Sequence, residues 1–134
     1  MPGATYVLDK TSNEPDAAGV GRFRAVTFGT NDGECKLPAA ANNACAGITQ
    51  EAQSKQNENV AVRVLGISRA YANGSVTKGD WVEIAGTAGD LKTAVLTAGT
   101  YTVHNVVGQA LTSAASGEIF FVLLAPGPCV QAAS

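Results

Sequence analysis

The sequence predicts an all-β fold, a small β-barrel or sandwich with an extended N-terminal arm, from three observations. Short apolar segments alternate with turn signals roughly every 8–12 residues, the spacing of strands in a sandwich or barrel. The 134 residues include 15 glycines and only 15% charged residues, a composition that favours strands and turns over helices. A phrase made of a glycine, a polar loop and an apolar strand also occurs twice.

The repeated phrase supplies the centre of the predicted domain. Its first copy opens at Gly47-Ile48-Thr49 and closes with the strand-like segment from Glu58 to Gly66. Its second copy opens at Gly108 and closes with the apolar segment from Gly117 to Leu124. A chain of this length is most simply one domain, which we place at residues 21–134.

Residues 1–20 are polar, with prolines and glycines, and we expect an extended N-terminal arm separate from the core. Tyr6, Val7 and Leu8 are its apolar segment. Two interpretations stay open: a frayed terminus, or an arm that docks on a neighbouring molecule through these three residues.

The first core strand is predicted from Gly21 to Gly29, although its alternation puts Arg22 and Arg24 on the face of Val26 unless a bulge shifts the register. Asn31-Asp32-Gly33 predicts a turn, and a short strand ended by proline should follow. The alanine-rich segment 39–46 fits either a short helix or a loop across the end of a barrel.

The clearest alternation lies in segment 58–71, where Val60, Val62 and Val64 should face inward. Gly66 then predicts a kink or bulge, and Asn73-Gly74 a hairpin turn.

Four further strands complete the predicted fold, at 81–84, 91–96, 101–107 and 119–124. In the first of these strands, Val82 and Ile84 should face inward. The run from Ile119 to Leu124 is apolar without interruption, which is typical of a strand covered on both faces. In one small domain, we expect that another subunit could provide one of these covers. Pro126-Gly127-Pro128 should end the strand.

Charge and hydropathy argue against several classes of protein. The formal net charge is −2, and no run of lysines or arginines suggests phosphate binding. No apolar stretch approaches the roughly 20 residues of a membrane span. The N-terminus has no secretory pattern, so we expect synthesis in a cytosol. Three cysteines without a CxxC spacing indicate free thiols, although a Cys35–Cys45 bridge stays an alternative.

Candidate catalytic and metal-binding residues are few. His104 is the single histidine, and alternation places it on the solvent face, with no GxSxG motif nearby. Asp80 and Asp90 each lie beside a glycine, where capping of a turn explains them better than calcium binding. The remaining acids should lie in loops or at strand edges. Trp81 is either half-buried at a barrel mouth or part of an interface.

The order of these phrases resembles the small capsid decoration, or cement, proteins of tailed phages over roughly residues 20–125. The residues that support the resemblance are Gly47-Ile48, Glu58–Val62, Val64-Leu65-Gly66, Val76–Val82, Val107–Leu111 and Gly117–Val122.

That resemblance implies a β-rich, often trimeric domain bound outside an icosahedral capsid, with no enzymatic activity and no cofactor. The implied partners are the major capsid protein and two further copies of the chain, with neither nucleic acid nor a membrane. The implied location is the exterior of a virion assembled in a bacterial cytoplasm. The expected interface residues are Tyr6, Val7, Leu8, Trp81 and Phe120. A carbohydrate-binding or adhesion module on an exposed aromatic platform is the alternative.

Overall fold

The computed structural model describes residues 8–14, 19–55, 58–94 and 102–131. Within those ranges the chain forms nine strands and no helix, which confirms the predicted all-β class. The strands are β1 (Leu8–Glu14), β2 (Ala25–Phe28), β3 (Cys35–Lys36), β4 (Gly47–Thr49), β5 (Glu58–Tyr71), β6 (Trp81–Ile84), β7 (Leu91–Thr93), β8 (Thr102–Ala110) and β9 (Ile119–Gln131).

The strands form one curled antiparallel sheet, a half-barrel, in the order β3-β2-β4-β5-β9-β8-β6-β7, with β1 paired to β5. An isolated parallel bridge between Ala72 and Leu91 brings β7 back to the end of β5. The concave side of the sheet holds the larger core cluster, which is built mainly from small aliphatic side chains, as the composition predicts. Its largest fully buried members are Ile48, Ile84, Leu91 and Phe120.

The long strand β5 changes partners at Gly66. Before this residue β5 lies between β1 and β4, and from Gly66 onward it pairs with β9. Gly66 has a φ of 105°, a conformation that disfavours any residue with a side chain. Val60 and Val62 are buried in a second, smaller core cluster, whereas Ala70 belongs to the larger one. The predicted inward face of β5 is therefore confirmed, and the positive φ of Gly66 marks the point at which the strand changes partners.

The glycines that open the two copies of the repeated phrase lie against the neighbouring strand. A Cβ atom on Gly47 would lie 2.5 Å from the carbonyl oxygen of Arg63 on β5, and one on Gly108 would lie 2.0 Å from that of Leu123 on β9. Each phrase thus encodes a strand pair, β4–β5 or β8–β9, in which the backbones approach too closely for a side chain.

The first core strand is shorter than predicted. It begins at Ala25, because Arg22 and Phe23 form a turn in which Phe23 has a φ of 59°. The register conflict in the sequence disappears, since the two arginines precede the strand instead of sharing a face with Val26. Residues 39–46 form a loop instead of a helix, and Asn42 joins it to β8 by accepting a hydrogen bond at 2.7 Å from the Asn105 backbone N–H.

Two predicted boundaries differ from the structure. β9 continues through Pro126 and Pro128 to Gln131, because beyond Leu124 its only strand partner in the described ranges is β8, and proline is tolerated on such an edge. Asn73-Gly74 does form a turn, with a φ of 82° at Gly74, but it closes no hairpin because β5 pairs with β9.

Part of the predicted N-terminal arm joins the sheet of its own chain. Residues 8–14 form β1, which pairs with β5 from Leu8 opposite Leu65 to Glu14 opposite Glu58. Tyr6 and Val7 lie outside the described residues. The division into an arm at 1–20 and a domain at 21–134 stays a prediction, although the backbone of β1 extends the sheet of that domain.

Cys35 and Cys45 are buried and neither forms a disulfide, as expected from the cysteine spacing, whereas the side chain of Cys129 lies outside the described part of the structure. Burial raises the pKa of Cys45 from 9.0 to about 12, and a hydrogen bond with the Gly47 backbone opposes this rise. The Cys45 thiol is therefore unreactive at neutral pH.

The raised pKa of Cys45 predicts a loss of stability at alkaline pH. Above pH 9.0 the thiol ionises only in the unfolded chain, so the free energy of unfolding falls as the pH rises toward about 12, by up to ~1.4 kcal/mol per pH unit. We expect the stability difference between the natural chain and Cys45→Ala to shrink by about 1 kcal/mol between pH 8 and pH 10 in urea unfolding. A difference that is constant across these pH values would contradict the prediction.

Candidate docking surface

The convex side of the sheet exposes a row of large apolar side chains on β5 and β9. Ile119, Phe121 and Leu123 are 40–44% exposed, whereas Phe120, Val122 and Leu124, which alternate with them, are buried. Ile67 on β5 is 37% exposed and lies directly opposite Leu123. The apolar run of β9 is thus covered on one face only in the isolated chain.

This apolar row continues across the sheet to Trp81. Leu123 pairs with Gln109 on β8, and Gln109 pairs with Trp81 on β6, which is 43% exposed. We call Ile67, Trp81, Ile119, Phe121 and Leu123 the outer face. Together they expose on the order of 400–500 Å² of side chain, which is at the upper end for a monomeric protein and is common at binding sites.

Only some of the predicted interface residues belong to the outer face. Trp81 belongs to it. Phe120 has no exposed surface and packs in the larger core cluster, because its side chain points inward from β9. Its neighbours Ile119 and Phe121 provide the exposed surface instead. Leu8 opens β1 opposite Leu65, which is itself 52% exposed.

A turn of unusual conformation borders the outer face. Phe23 adopts a left-handed backbone, which is uncommon for a bulky residue and costs of order 1–3 kcal/mol. The buried Thr49 holds the turn in place: its Oγ1 donates to the Gly21 carbonyl at 2.7 Å and accepts from the Arg24 N–H at 3.0 Å. Its carbonyl accepts from the Phe23 N–H at 2.9 Å.

The turn brings guanidinium groups and aromatic rings together. The Arg69 guanidinium carbon lies 5.8 Å from the ring centre of Phe23 and 5.5 Å from that of Phe121, so Arg69 joins the turn to the outer face. Arg22 also lies over Phe23, at 5.4 Å, and Arg24 lies 4.2 Å from the ring centre of Tyr71. These distances are those of cation–π contacts.

A groove of about 430 Å³ lies between the turn and the outer face. It has two guanidinium groups, two aromatic rings, an amide and an aliphatic side chain in its walls. Its lining residues are Phe23, Gln50, Arg63, Ile67, Arg69 and Phe121. We call it the arginine groove. The four arginines of the chain therefore all lie in or beside one region.

The sequence did not predict the arginine groove. Arg63 and Arg69 share the parity of Ile67 along β5, so alternation alone could have placed them on the same face. The position of Phe23 depends on a positive φ that no local signal indicates, since the residue is neither glycine nor asparagine.

His104 lies on the opposite side of the sheet from its predicted position. It is 9% exposed, and its Nδ1 lies 2.6 Å from Oε2 of Glu83, which is 4% exposed. The predictions of a solvent-facing His104 and of acids confined to loops or strand edges are wrong here. Alternation assumes that polar side chains face water, but two polar groups can be buried together when they satisfy each other. Lys92 adds a longer ion pair to Glu83, at 3.7 Å.

Removal of one member of this buried pair should destabilise the fold. We expect His104→Ala to lower the free energy of unfolding by about 1.5–3 kcal/mol, because the Glu83 carboxylate would stay buried without its hydrogen-bond partner. Urea unfolding would measure the change. Lys92→Ala, which removes the exposed partner, should cost less than about 1 kcal/mol. Equal losses in the two variants would contradict this assignment.

Asp80 caps its turn, as predicted: its Oδ2 accepts from the Thr77 N–H at 3.0 Å, and also from the Thr93 hydroxyl at 2.9 Å. Asp90 instead accepts from the side chain of Asn73, 17 residues earlier in the chain. The described residues contain no group of three or more metal-binding side chains. Within the same part of the chain, no helix has the length and apolar character to cross a membrane.

Comparison with solved structures finds this fold in a phage head protein. The chain is similar to the N base of head fiber gp8.5 of bacteriophage phi29, with a TM-score of 0.64 and 16% sequence identity. The match covers 90% of this chain and 95% of the phi29 chain. The chain matches no family model and no curated protein sequence. At this identity, the similarity establishes the shared fold.

Proposed function

We propose that this chain is a structural protein of a bacteriophage virion, a decoration or cement protein that binds the outside of the head as a homotrimer. The observation that supports the proposal best is the match of nearly the whole fold to the base of a phage head fiber. The order of the sequence phrases, which resembles capsid decoration proteins, agrees with it independently. The proposed partners are the major capsid protein and two further copies of the chain.

Binding alone would explain how such a protein stabilises a head. A ligand that binds only the closed shell adds its binding free energy to that state, and so opposes the outward pressure of packaged DNA. Three linked copies raise the effective concentration of each contact, so individually weak contacts suffice. This function requires neither a catalytic group nor a cofactor, and we propose no enzymatic activity.

The outer face is our candidate for the contact between subunits. A standard interface buries about 800 Å² per partner, and the outer face alone would contribute roughly half of that area. The uninterrupted apolar run of β9 predicts a strand covered on both faces. In this proposal, another subunit covers the face of β9 that is exposed in the isolated chain. For the contact with the capsid we propose Tyr6, Val7 and Leu8, the apolar segment of the N-terminal arm.

Co-sedimentation with phage heads tests the proposal. Heads that lack this protein, from the phage that encodes it, would be mixed with the purified full chain, and heads of an unrelated phage would serve as the control. We expect pelleting with the first heads only, and a higher temperature of DNA release from them. Light scattering should give the mass of a trimer. A chain that is monomeric at micromolar concentration and does not pellet with its own heads would refute the proposal.

A further inference from the structure

We propose that the arginine groove binds an acidic segment of a partner protein, with carboxylates on the guanidinium groups and an apolar or aromatic side chain against Phe23 and Phe121. This inference rests on the proposed function, because it takes the capsid surface as the source of that segment. The groove shares Ile67 and Phe121 with the outer face, so the capsid segment would bind at the edge of the proposed contact between subunits.

Three arginines in or beside the groove carry positive charge that the described residues do not neutralise. The side chains of Arg22, Arg24 and Arg69 make cation–π contacts, and within the described residues they form no ion pair or side-chain hydrogen bond. Lys55 and Lys92, by contrast, form ion pairs with glutamates. Although the chain has 11 acidic residues and a net charge of −2, the side chains of Arg22, Arg24 and Arg69 therefore form a local region of positive charge without a carboxylate partner among the described residues.

The aromatic rings prepare the guanidinium groups for carboxylates. A guanidinium over a ring keeps its N–H donors along its edge, where they match the two oxygens of a carboxylate. The ring also restricts the arginine before binding, so less conformational entropy is lost when the partner arrives. Arg69, between the rings of Phe23 and Phe121, is the best placed of the four.

The strain at Phe23 supports a binding role for the turn. A bulky residue with a φ of 59° persists only where its surroundings fix it. The hydroxyl and carbonyl of Thr49 do so from the core through the hydrogen bonds that hold the Gly21–Arg24 turn. The result is that Phe23 is held beside the exposed Arg69 instead of packing in either core cluster.

The chemistry favours an acidic protein segment over a nucleic acid. A nucleic-acid surface needs cations that follow the phosphate backbone over several nucleotides, whereas the four arginines lie together in or beside one groove and the net charge of the chain is −2. Beside the groove lies the apolar outer face, which suits a folded protein partner. Binding of single-stranded nucleic acid is thus an outcome of the test and not part of the proposal.

A titration followed by NMR tests the groove without phage heads. The full chain would be titrated with the peptide Ac-Asp-Glu-Phe-Glu-Asp-NH2, with its uncharged analogue Ac-Asn-Gln-Phe-Gln-Asn-NH2, and with a ten-nucleotide thymidine strand. We expect the acidic peptide to shift the backbone amides of Phe23, Arg69 and Phe121, with an affinity that falls as salt rises. The uncharged analogue should bind at least about tenfold more weakly.

Matched variants separate the groove from general charge. Arg24→Gln/Arg69→Gln should weaken peptide binding at least about tenfold, whereas Lys55→Gln/Lys78→Gln removes the same charge at exposed sites elsewhere and should change it less than about twofold. Circular dichroism would confirm that both double variants are folded. Equal binding of the two peptides, equal effects of the two double variants, or tighter binding of the thymidine strand at the same amides would overturn the proposal.

The co-sedimentation assay links the groove to the capsid. We expect Arg24→Gln/Arg69→Gln to bind heads about tenfold more weakly than the natural chain, with the lysine double variant unaffected. If the acidic peptide binds but the natural chain does not pellet with its own heads, the binding role of the groove is supported and the proposed function is refuted. If heads bind both double variants as well as the natural chain, the proposed function stands and the role of the groove is refuted.

Discussion

Gly108→Ala is expected to destabilise the chain by about 3 kcal/mol or more. The new Cβ atom would lie 2.0 Å from the carbonyl oxygen of Leu123 and 2.9 Å from its carbonyl carbon. Since both are backbone atoms, relief requires β8 and β9 to separate. These two strands pair over most of their length, and the register already shifts between Val106 and Gly108, which leaves little room for further adjustment.

Gly86→Ala is the matched control for Gly108→Ala. A Cβ atom on Gly86 would meet no atom within 4 Å, and Gly86 is not among the glycines with a positive φ. Its stability should change by less than about 0.5 kcal/mol. Urea unfolding followed by circular dichroism gives both values, and soluble yield and thermal midpoint replace it if Gly108→Ala does not fold. Equal stability of the two variants would show that β8 and β9 do not approach as closely as the structure indicates.

The sequence predicted the fold wherever a local signal coincided with a tertiary requirement. Val60 and Val62 face inward because alternation and burial agree along β5. The turn at Asn31-Asp32-Gly33 joins β2 to β3, with Gly33 at a φ of 81°, as expected for a glycine in that place. The two glycine phrases correspond to strand pairs for a similar reason. Where two backbones approach too closely for a Cβ atom, the sequence has a glycine.

The predictions failed where a pairing between distant residues decided the outcome. His104 is buried because Glu83 lies beside it, and the two are separated by 21 residues in sequence. β9 extends past Pro126 because no strand in the described part of the chain pairs with its second edge there. Neither fact follows from a local window of sequence, because each depends on which strand is the neighbour.

The candidate surface was only partly predictable for the same reason. Trp81 could be named as an interface residue because its neighbours Val82 and Ile84 should face inward, and both are fully buried. The apolar run of β9 indicated two covered faces but not which residues faced outward, so Phe120 was assigned to the interface in place of its neighbours. The arginine groove required the turn at Phe23, whose conformation is set by hydrogen bonds to Thr49, 26 residues later in the chain.

Leu123→Lys is expected to lower the association constant of the proposed trimer about 100-fold, which corresponds to ~2.7 kcal/mol. Leu123 lies at the middle of the outer face, with Ile67 on one neighbouring strand and Gln109 on the other. A lysine there would have to bury its charge in the subunit contact without a carboxylate from the same face. Because Leu123 is 43% exposed in the isolated chain, the stability of the monomer should change by less than about 1 kcal/mol.

Phe28→Lys is the matched control for this effect on assembly. Phe28 is 65% exposed and lies on β2, outside the outer face, so the same chemical change there should leave the association constant within about twofold. Sedimentation equilibrium of the three proteins at several concentrations gives the constants directly. If Leu123→Lys and Phe28→Lys associate equally well, the outer face is not the subunit contact. If only Phe28→Lys dissociates, the contact lies instead on the side of β2, where the β2–β3 turn exposes Asn31 and Asp32.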